Sequence, residues 1–247
     1  MEKTDKIQED ESSDSLANGL MFYVPFDGTA KPFYALNPET PAGDFVFEDG
    51  MVGKALSVSE SNPTQFPSYP AESNFPYLNG SISLWFKPDW DKSIAPDKYI
   101  DLLSISNPGR FMVIINQGKM NANVFFPKEG QIENCPGGNC GIYVALGGLP
   151  APDWKKGQWY HIVCIWSEDS SHIFINGEKV SSGKGVPEGV DKKQYFGSKF
   201  YIGNDHGKNR PMNGSIDEFA LWDRPLTEGE IQMIFSRGNT NQPLLEK

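Results

Sequence analysis

The chain is short of the residues that most metalloenzymes and redox proteins depend on. It holds 3 His and 3 Cys in 247 residues. Neither His-x-His nor His-Glu-x-x-His occurs, so no zinc site is expected. Gly-x-Ser-x-Gly is missing too, which removes the serine nucleophile elbow. No run reaches the ~18 apolar residues that would read as a membrane-crossing helix. Basic residues are few: 22 Lys and Arg stand against 32 Asp and Glu, for a net charge of -10. Lys155-Lys156 and Lys192-Lys193 are isolated pairs. No basic stripe offers itself to a phosphate backbone, so nucleic acid is not an expected partner.

What is present points to strands. The 19 Pro and 25 Gly are too many for a helical bundle, and they are scattered rather than periodic. A chain of this length supports one large core, and all-β sandwiches reach this size as single domains. Residues 1–18 are polar and acidic and read as a disordered lead-in. They carry no apolar stretch of the signal-peptide kind. The folded unit is expected over 19–240, with 241–247 as a tail.

Hydrophobic runs with a period of two mark the strands. The first is Leu20 to the Asp27-Gly28 turn. Phe45–Phe47 and Ala55–Val58 are short candidates. Asn62–Tyr77, with four prolines and four aromatics, reads as a long loop pinned by its rings. In Ser81–Pro88, Ile82, Leu84 and Phe86 alternate with Ser81, Ser83 and Trp85, as in a strand with one core face. Tyr99–Ser106, Phe111–Asn116, Asn121–Phe126 and Gly141–Leu146 follow. Trp159–Trp166 is the longest apolar run and reads as a central strand. Ser171–Asn176 and Glu178–Val180 flank Asn176-Gly177, a hairpin turn signal. Lys199–Ile202 and Gly214–Trp222 complete the set. One helix is expected, opened by Thr227 as N-cap with Glu230 three residues on, a capping box. The fold expected from this pattern is all-β, two antiparallel sheets face to face with a short C-terminal helix.

Cys164 lies inside an apolar strand and is expected as a buried thiol. Cys135 and Cys140 bracket Pro-Gly-Gly-Asn, and a disulfide there would suit an oxidising compartment. Asn79-Gly80-Ser81 and Asn213-Gly214-Ser215 match the glycosylation sequon, and both also read as ordinary turns into strands.

A set of segments in order carries a family resemblance: Trp159-Tyr160-His161-Ile162-Val163, Ile173-Phe174-Ile175-Asn176-Gly177, Tyr201-Ile202-Gly203-Asn204, Gly214 to Trp222 and Pro225-Leu226-Thr227. Leu20–Gly28, Gly53-Lys54-Ala55-Leu56 and Ser81–Phe86 precede them. Together, over residues 19–238, the chain resembles the laminin-G-like branch of the concanavalin A-like lectin/glucanase superfamily. The resemblance implies a jelly roll that often binds glycans or proteins and often holds a structural calcium. Glycoside hydrolases and polysaccharide lyases share that fold, so the fold alone does not settle function. The Glu-x-Asp-x-x-Glu of the related hydrolases does not occur. The lyases' Gln-Ile-His is met only by Gln131-Ile132-Glu133. In a regular strand Asp217 and Glu218 would point to opposite faces, unlike a glycosidase pair.

The expected function is therefore a non-catalytic, lectin-like module, secreted or on a cell surface. Without a basic patch, a neutral polysaccharide fits better than an anionic one. The alternatives are an adhesion module that binds protein, and a hydrolase or lyase with an atypical site. Aromatic rings left in loops are candidate sugar platforms: Phe66, Tyr69, Phe75, Tyr77, Trp90 and Trp154, with His206 in the polar loop 204–210. The same rings would serve equally as small clusters under long loops. His161 is expected as a hydrogen-bonded structural imidazole. A structural calcium ion is expected to take Asp27 and Asp217 as ligands, since Asp217 interrupts an apolar strand and its burial needs compensation. The alternative is that Asp27 caps its own turn while Asp217 faces solvent beside a Lys or Arg.

Overall fold

The computed structural model describes residues 15–62, 65–91, 99–106, 110–116, 119–126, 142–148, 153–186 and 198–246. Cys135, Cys140 and the Gln131 string lie outside these residues. The strands are β1 (Leu20–Val24), β2 (Tyr34–Ala35), β3 (Val46–Asp49), β4 (Lys54–Val58), β5 (Ser68–Pro70), β6 (Gly80–Pro88), β7 (Tyr99–Ser106) and β8 (Arg110–Asn116). They continue as β9 (Lys119–Phe126), β10 (Ile142–Gly148), β11 (Tyr160–Trp166), β12 (Ser170–Ile175), β13 (Glu178–Lys184), β14 (Lys199–Ile202) and β15 (Gly214–Trp222). One nine-stranded sheet runs β13-β12-β11-β6-β15-β1-β2, with β4 also on β15 and β3 on β4. The second sheet has six strands in the order β10-β9-β8-β7-β14-β5. The expected two-sheet sandwich is what forms, and every described strand pair is antiparallel.

Phe22, Leu84, Phe86, Ile162, Cys164, Trp166 and Phe219 fill the space between the sheets with Ile100, Leu103, Ile105, Phe200 and Ile202. Cys164 is the buried thiol expected, and burial pushes it up to about 12. Asn176 and Gly177 both take positive φ, 52° and 82°. These are the angles a two-residue hairpin turn demands of Asn-Gly.

The nine-stranded sheet has a second covered face. Helix α1 (Glu228–Asn239) lies on it, opened by the capping box: Thr227 Oγ1 accepts from Glu230 N, and Glu230 accepts from Thr227 N. Ile231 and Ile234 of α1 pack with Val163, Ile165, Phe174 and Trp222. Phe174 belongs to this outer layer. Ser81, Ser83 and Trp85 are buried as thoroughly as Ile82, Leu84 and Phe86. A strand with alternating residues is thus covered on both faces. Its serines stay satisfied because Ser81 Oγ donates to Arg224 O and accepts from Leu226 N, each at 2.8 Å.

Both expected boundaries shift. Leu16 is buried and its carbonyl accepts from Trp222 Nε1 at 2.7 Å, so packing begins before residue 19. Leu244 is buried too, so 241–246 docks rather than trails. The segment read as a long loop, Asn62–Tyr77, contains β5, paired with β14.

Candidate functional site

Of the two outward faces, that of the nine-stranded sheet is occupied by α1, the turn around Leu16 and the segment around Leu244. The outward face of the six-stranded sheet carries no helix among the described residues. Alternation along β7 decides what that face shows. Ile100, Leu103 and Ile105 point into the core. Tyr99, Asp101 and Ser104 therefore point out, and a bulge between Asp101 and Leu103 keeps them on one side. Ser104 is in register with Tyr201 of β14, and Asp101 with Ile114 of β8.

This stripe sets one exposed ring beside buried polar groups. Tyr99 is 44% exposed, whereas Asp101 and Ser104 are fully covered. Tyr201 meets Phe66 with ring centroids 6.1 Å apart, and both are half-buried. The loop 204–210 flanks the stripe. Buried Asn204 organises it: its Oδ1 accepts from Asp205 N at 2.8 Å and from Arg210 N at 2.9 Å. Arg210 O accepts from Asp101 N at 3.0 Å, which seats the loop on β7. The Arg210 guanidinium lies 5.2 Å from the centroid of the Tyr99 ring. From Tyr99 to Ser104 the stripe runs roughly 16 Å at the usual strand rise. Asp101 and Ser104 are covered along it, so what it offers a ligand is ring surface, at Tyr99 above all.

The second constellation is acidic. β15 bulges between Asp217 and Ala220, and Glu218 takes a φ of 51°. The bulge cancels the expected alternation, so both carboxylates leave the strand on the helix side. Asp217 Oδ2 accepts from Val52 N at 2.9 Å and its Oδ1 from Glu218 N at 2.8 Å. Glu218 Oε2 accepts from Tyr23 OH and from Leu244 N, while Oε1 is buried without a hydrogen-bond partner. Burial, reinforced by the neighbouring charge, pushes both carboxyls well above the ordinary range. Asp27 is exposed and accepts from Lys54 N at 2.9 Å. The segment from Gly50 to Lys54 thus bridges Asp27 and Asp217. The alternative of Asp217 in solvent is corrected: it is fully buried, and backbone N–H groups compensate it. Among the described residues no group of three or more His, Cys, Asp or Glu is placed to share one metal ion.

A sequence model of the laminin-G-like type, described as the Concanavalin A-like lectin/glucanases superfamily, matches residues 61–232, more than half of the chain. The chain belongs to that superfamily. Among solved structures, domain 4 of AbnA, a GH43 extracellular arabinanase from Geobacillus stearothermophilus, in complex with arabinotriose, is similar. It aligns with a TM-score of 0.58 and 18% identity, over 87% of this chain and 97% of that one. The botulinum neurotoxin serotype D binding domain aligns at TM-score 0.63 and 15% identity, over 91% of this chain and 52% of that one. The binding domain of Paraclostridial Mosquitocidal Protein 1 aligns at 0.59 and 20%, over 89% and 52%. These likenesses concern the fold. A human protein, adhesion G-protein coupled receptor D1, is 31% identical over 91 residues, 35% of this chain and 10% of the receptor.

Within this superfamily member the expected ring platforms separate. Tyr69, Phe75, Trp90 and Trp154 are buried members of the main core, with no free face for a sugar. Trp154 meets Tyr160, Trp90 and Phe86 edge-on, and Tyr69 donates to Ala30 O at 2.8 Å. The rings are core partners of the strands: Tyr69 and Phe75 pack on Phe200, and Trp90 and Trp154 on Phe86. Tyr77 is half-buried against Phe75. Phe66 and His206 remain at the stripe, His206 exposed in the loop that ends at Arg210. Tyr99, Asp101, Tyr201 and Arg210 were not singled out from sequence. The available signal was Asp101 interrupting the apolar run of β7.

Proposed function

We propose that the chain is a non-catalytic, lectin-like module of a secreted or cell-surface protein, binding a neutral polysaccharide along β7. One observation carries this: the outward side of β7 and β14, which carries no helix among the described residues, shows the exposed ring of Tyr99 and the half-buried rings of Tyr201 and Phe66. The superfamily supports it, as does the shared fold of an arabinanase domain solved with arabinotriose and of toxin binding domains. The test is a polysaccharide array with the wild type and Tyr99→Ala. Binding that Tyr99→Ala weakens about tenfold supports the reading. Depolymerisation of a bound polysaccharide replaces it with an enzyme.

A second reading, protein-binding adhesion, has its own observation. Tyr34 and Val46 lie on edge strands β2 and β3 of one sheet flank, with Phe33 and Leu36 beside β2, and all four are exposed. The short match to an adhesion receptor favours the same reading. Capture of a protein, with no glycan bound, reverses the ranking.

The calcium expectation continues as a proposal. Asp27 and Asp217 would supply carboxylate oxygens, and carbonyls of the Gly50–Lys54 segment and water would complete a shell of six to eight. What supports it is the concentration of negative charge: Asp27 adds to the upward push on Glu218, whose Oε1 is buried and unpartnered. The ion would offset that charge and tie the end of β1 to β15.

A further inference from the structure

Among the described residues, the exposed large apolar side chains are Phe33, Tyr34, Leu36, Val46, Tyr99 and Val180. The first four share one edge of the nine-stranded sheet, and strand pairing makes that edge a single line. β6 takes one side of β15 from Gly214 to Trp222. The other side is divided: β4 pairs with Gly214–Ile216, and β1 with Phe219–Trp222. β3 lies outside β4, and β2 outside β1. Both are thus two strands out from β15 and run in its direction. Among the described residues neither has a second neighbour. Val46–Asp49 and then Phe33–Leu36 line this composite edge, roughly 27 Å at the usual strand rise.

Which backbone groups are open follows from the alternation of antiparallel ladders. Gly50 N donates to Gly53 O, so Glu48 and Val46 bond to β4, while Phe47 and Asp49 turn N–H and C=O outward. Leu36 N donates to Met21 O, so Leu36 bonds to β1 and Ala35 turns outward. The side chains of Phe47 and Ala35 are partly buried against the main core. Those of Val46, Glu48, Tyr34 and Leu36 stand on the opposite face by alternation.

This edge matches itself. A two-fold axis between Asp49 and Phe33 lays β3 of one copy antiparallel to β2 of the other. Open groups then meet open groups, Phe47 against Ala35. In the same register Val46 stands opposite Leu36, and Glu48 opposite Tyr34, at cross-strand contact distance. The exposed Tyr34 hydroxyl is a donor for the Glu48 carboxylate. Near the axis the exposed Lys31 of one copy comes to the exposed Asp49 of the other. Apolar residues meet apolar ones, and acids meet a base or a hydroxyl.

We propose that this edge is a self-association surface, on which a second copy of the chain pairs β3 against β2 about a two-fold axis. The proposal stands apart from the glycan reading and gives the protein-binding reading one occupant. Each copy has a net charge of -10, so the dimer is expected to tighten as salt rises to about 0.5 M.

The experiment is sedimentation of the whole chain over about a hundredfold range of concentration, at low and high salt. The wild type is expected to pass from monomer to dimer. Val46→Lys and Leu36→Lys change exposed side chains and are expected to melt as the wild type does. Each is expected to weaken the dimer about tenfold or more. Val46→Lys with Leu36→Glu in one chain sets Lys opposite Glu across the axis and is expected to regain part of that loss. A role in folding alone would give no such recovery. Amide exchange at Phe47 and Ala35 is expected to slow as the dimer fills. A wild type monomeric at every concentration and salt overturns the proposal. So does a dimer indifferent to both single variants, or one that the paired variant does not regain. Should a variant fail to fold, amide exchange in the wild type decides. A monomer that captures another protein on this edge overturns self-association and keeps the protein-binding reading. Polysaccharide binding is read separately through Tyr99→Ala, and neither result decides the other.

Discussion

The hydroxyl of Tyr23 donates to Glu218 Oε2 at 2.8 Å, joining β1 to the bulge of β15. The same oxygen accepts from Leu244 N at 2.6 Å, so one buried carboxylate also anchors the C-terminal segment. Removing the hydroxyl strands part of a buried acid. Tyr23→Phe is expected to cost about 1–3 kcal/mol, the range for a buried group that loses its partner. Denaturant unfolding measures it. A stability equal to wild type would show that water replaces the hydroxyl.

His161 predicts an acid-sensitive fold. It is fully buried against Trp85 and Phe235 of α1, with Nε2 2.9 Å from Ser83 Oγ. Burial lowers it from 6.5 to about 3. Below 6.5 the unfolded chain binds a proton that the folded one refuses. The stability His161 contributes is thus full above pH 6.5 and is lost as pH falls towards about 3. The slope is at most about 1.4 kcal/mol per pH unit for one proton. His161→Phe is expected to flatten stability over that window. An acid limb equally steep in the variant would assign it to other groups.

Gly238 tests how closely α1 sits on the sheet. A Cβ there would stand 2.6 Å from Trp85 Cε2 and 2.7 Å from its Nε1. Helix propensity alone favours Ala by about 1 kcal/mol. Overpacking costs about 1–3 kcal/mol, and the clash is with a ring already stacked on Phe235. Gly238→Ala is expected to lower stability by up to about 2 kcal/mol net. A stabilised variant would mean that α1 slides freely over the sheet.

Calcium is tested by melting the wild type and Asp217→Ala with excess ion and with chelator. An ion bound only by the folded state raises the wild-type midpoint, by about 2.7 kcal/mol of stability at a hundredfold excess over Kd. Asp217→Ala is expected to lose that dependence. Identical wild-type melts in both conditions, with no calcium in metal analysis of untreated protein, remove the proposal.

The strands were legible because their signals are local. Alternation in Ser81–Phe86, the Asn176-Gly177 turn and the Thr227–Glu230 capping box need only neighbouring residues, and each forms as expected. The loop rings were not. Whether Trp154 stacks on a sugar or seals the core depends on Trp90, Phe86 and Tyr160, which other parts of the chain supply.

Sequence by itself determined the two-sheet sandwich, the single C-terminal helix and the superfamily, since periodicity, turn chemistry and motif order are written along the chain. Tertiary structure decided which face is covered and which charges meet. α1 buries the serine face of β6, and the bulge at Glu218 brings two adjacent carboxylates to one side. A loop more than a hundred residues beyond Asp101 lays Arg210 over Tyr99. Burial and pairing at these sites are set by segments far apart in sequence, where no local pattern records the partner.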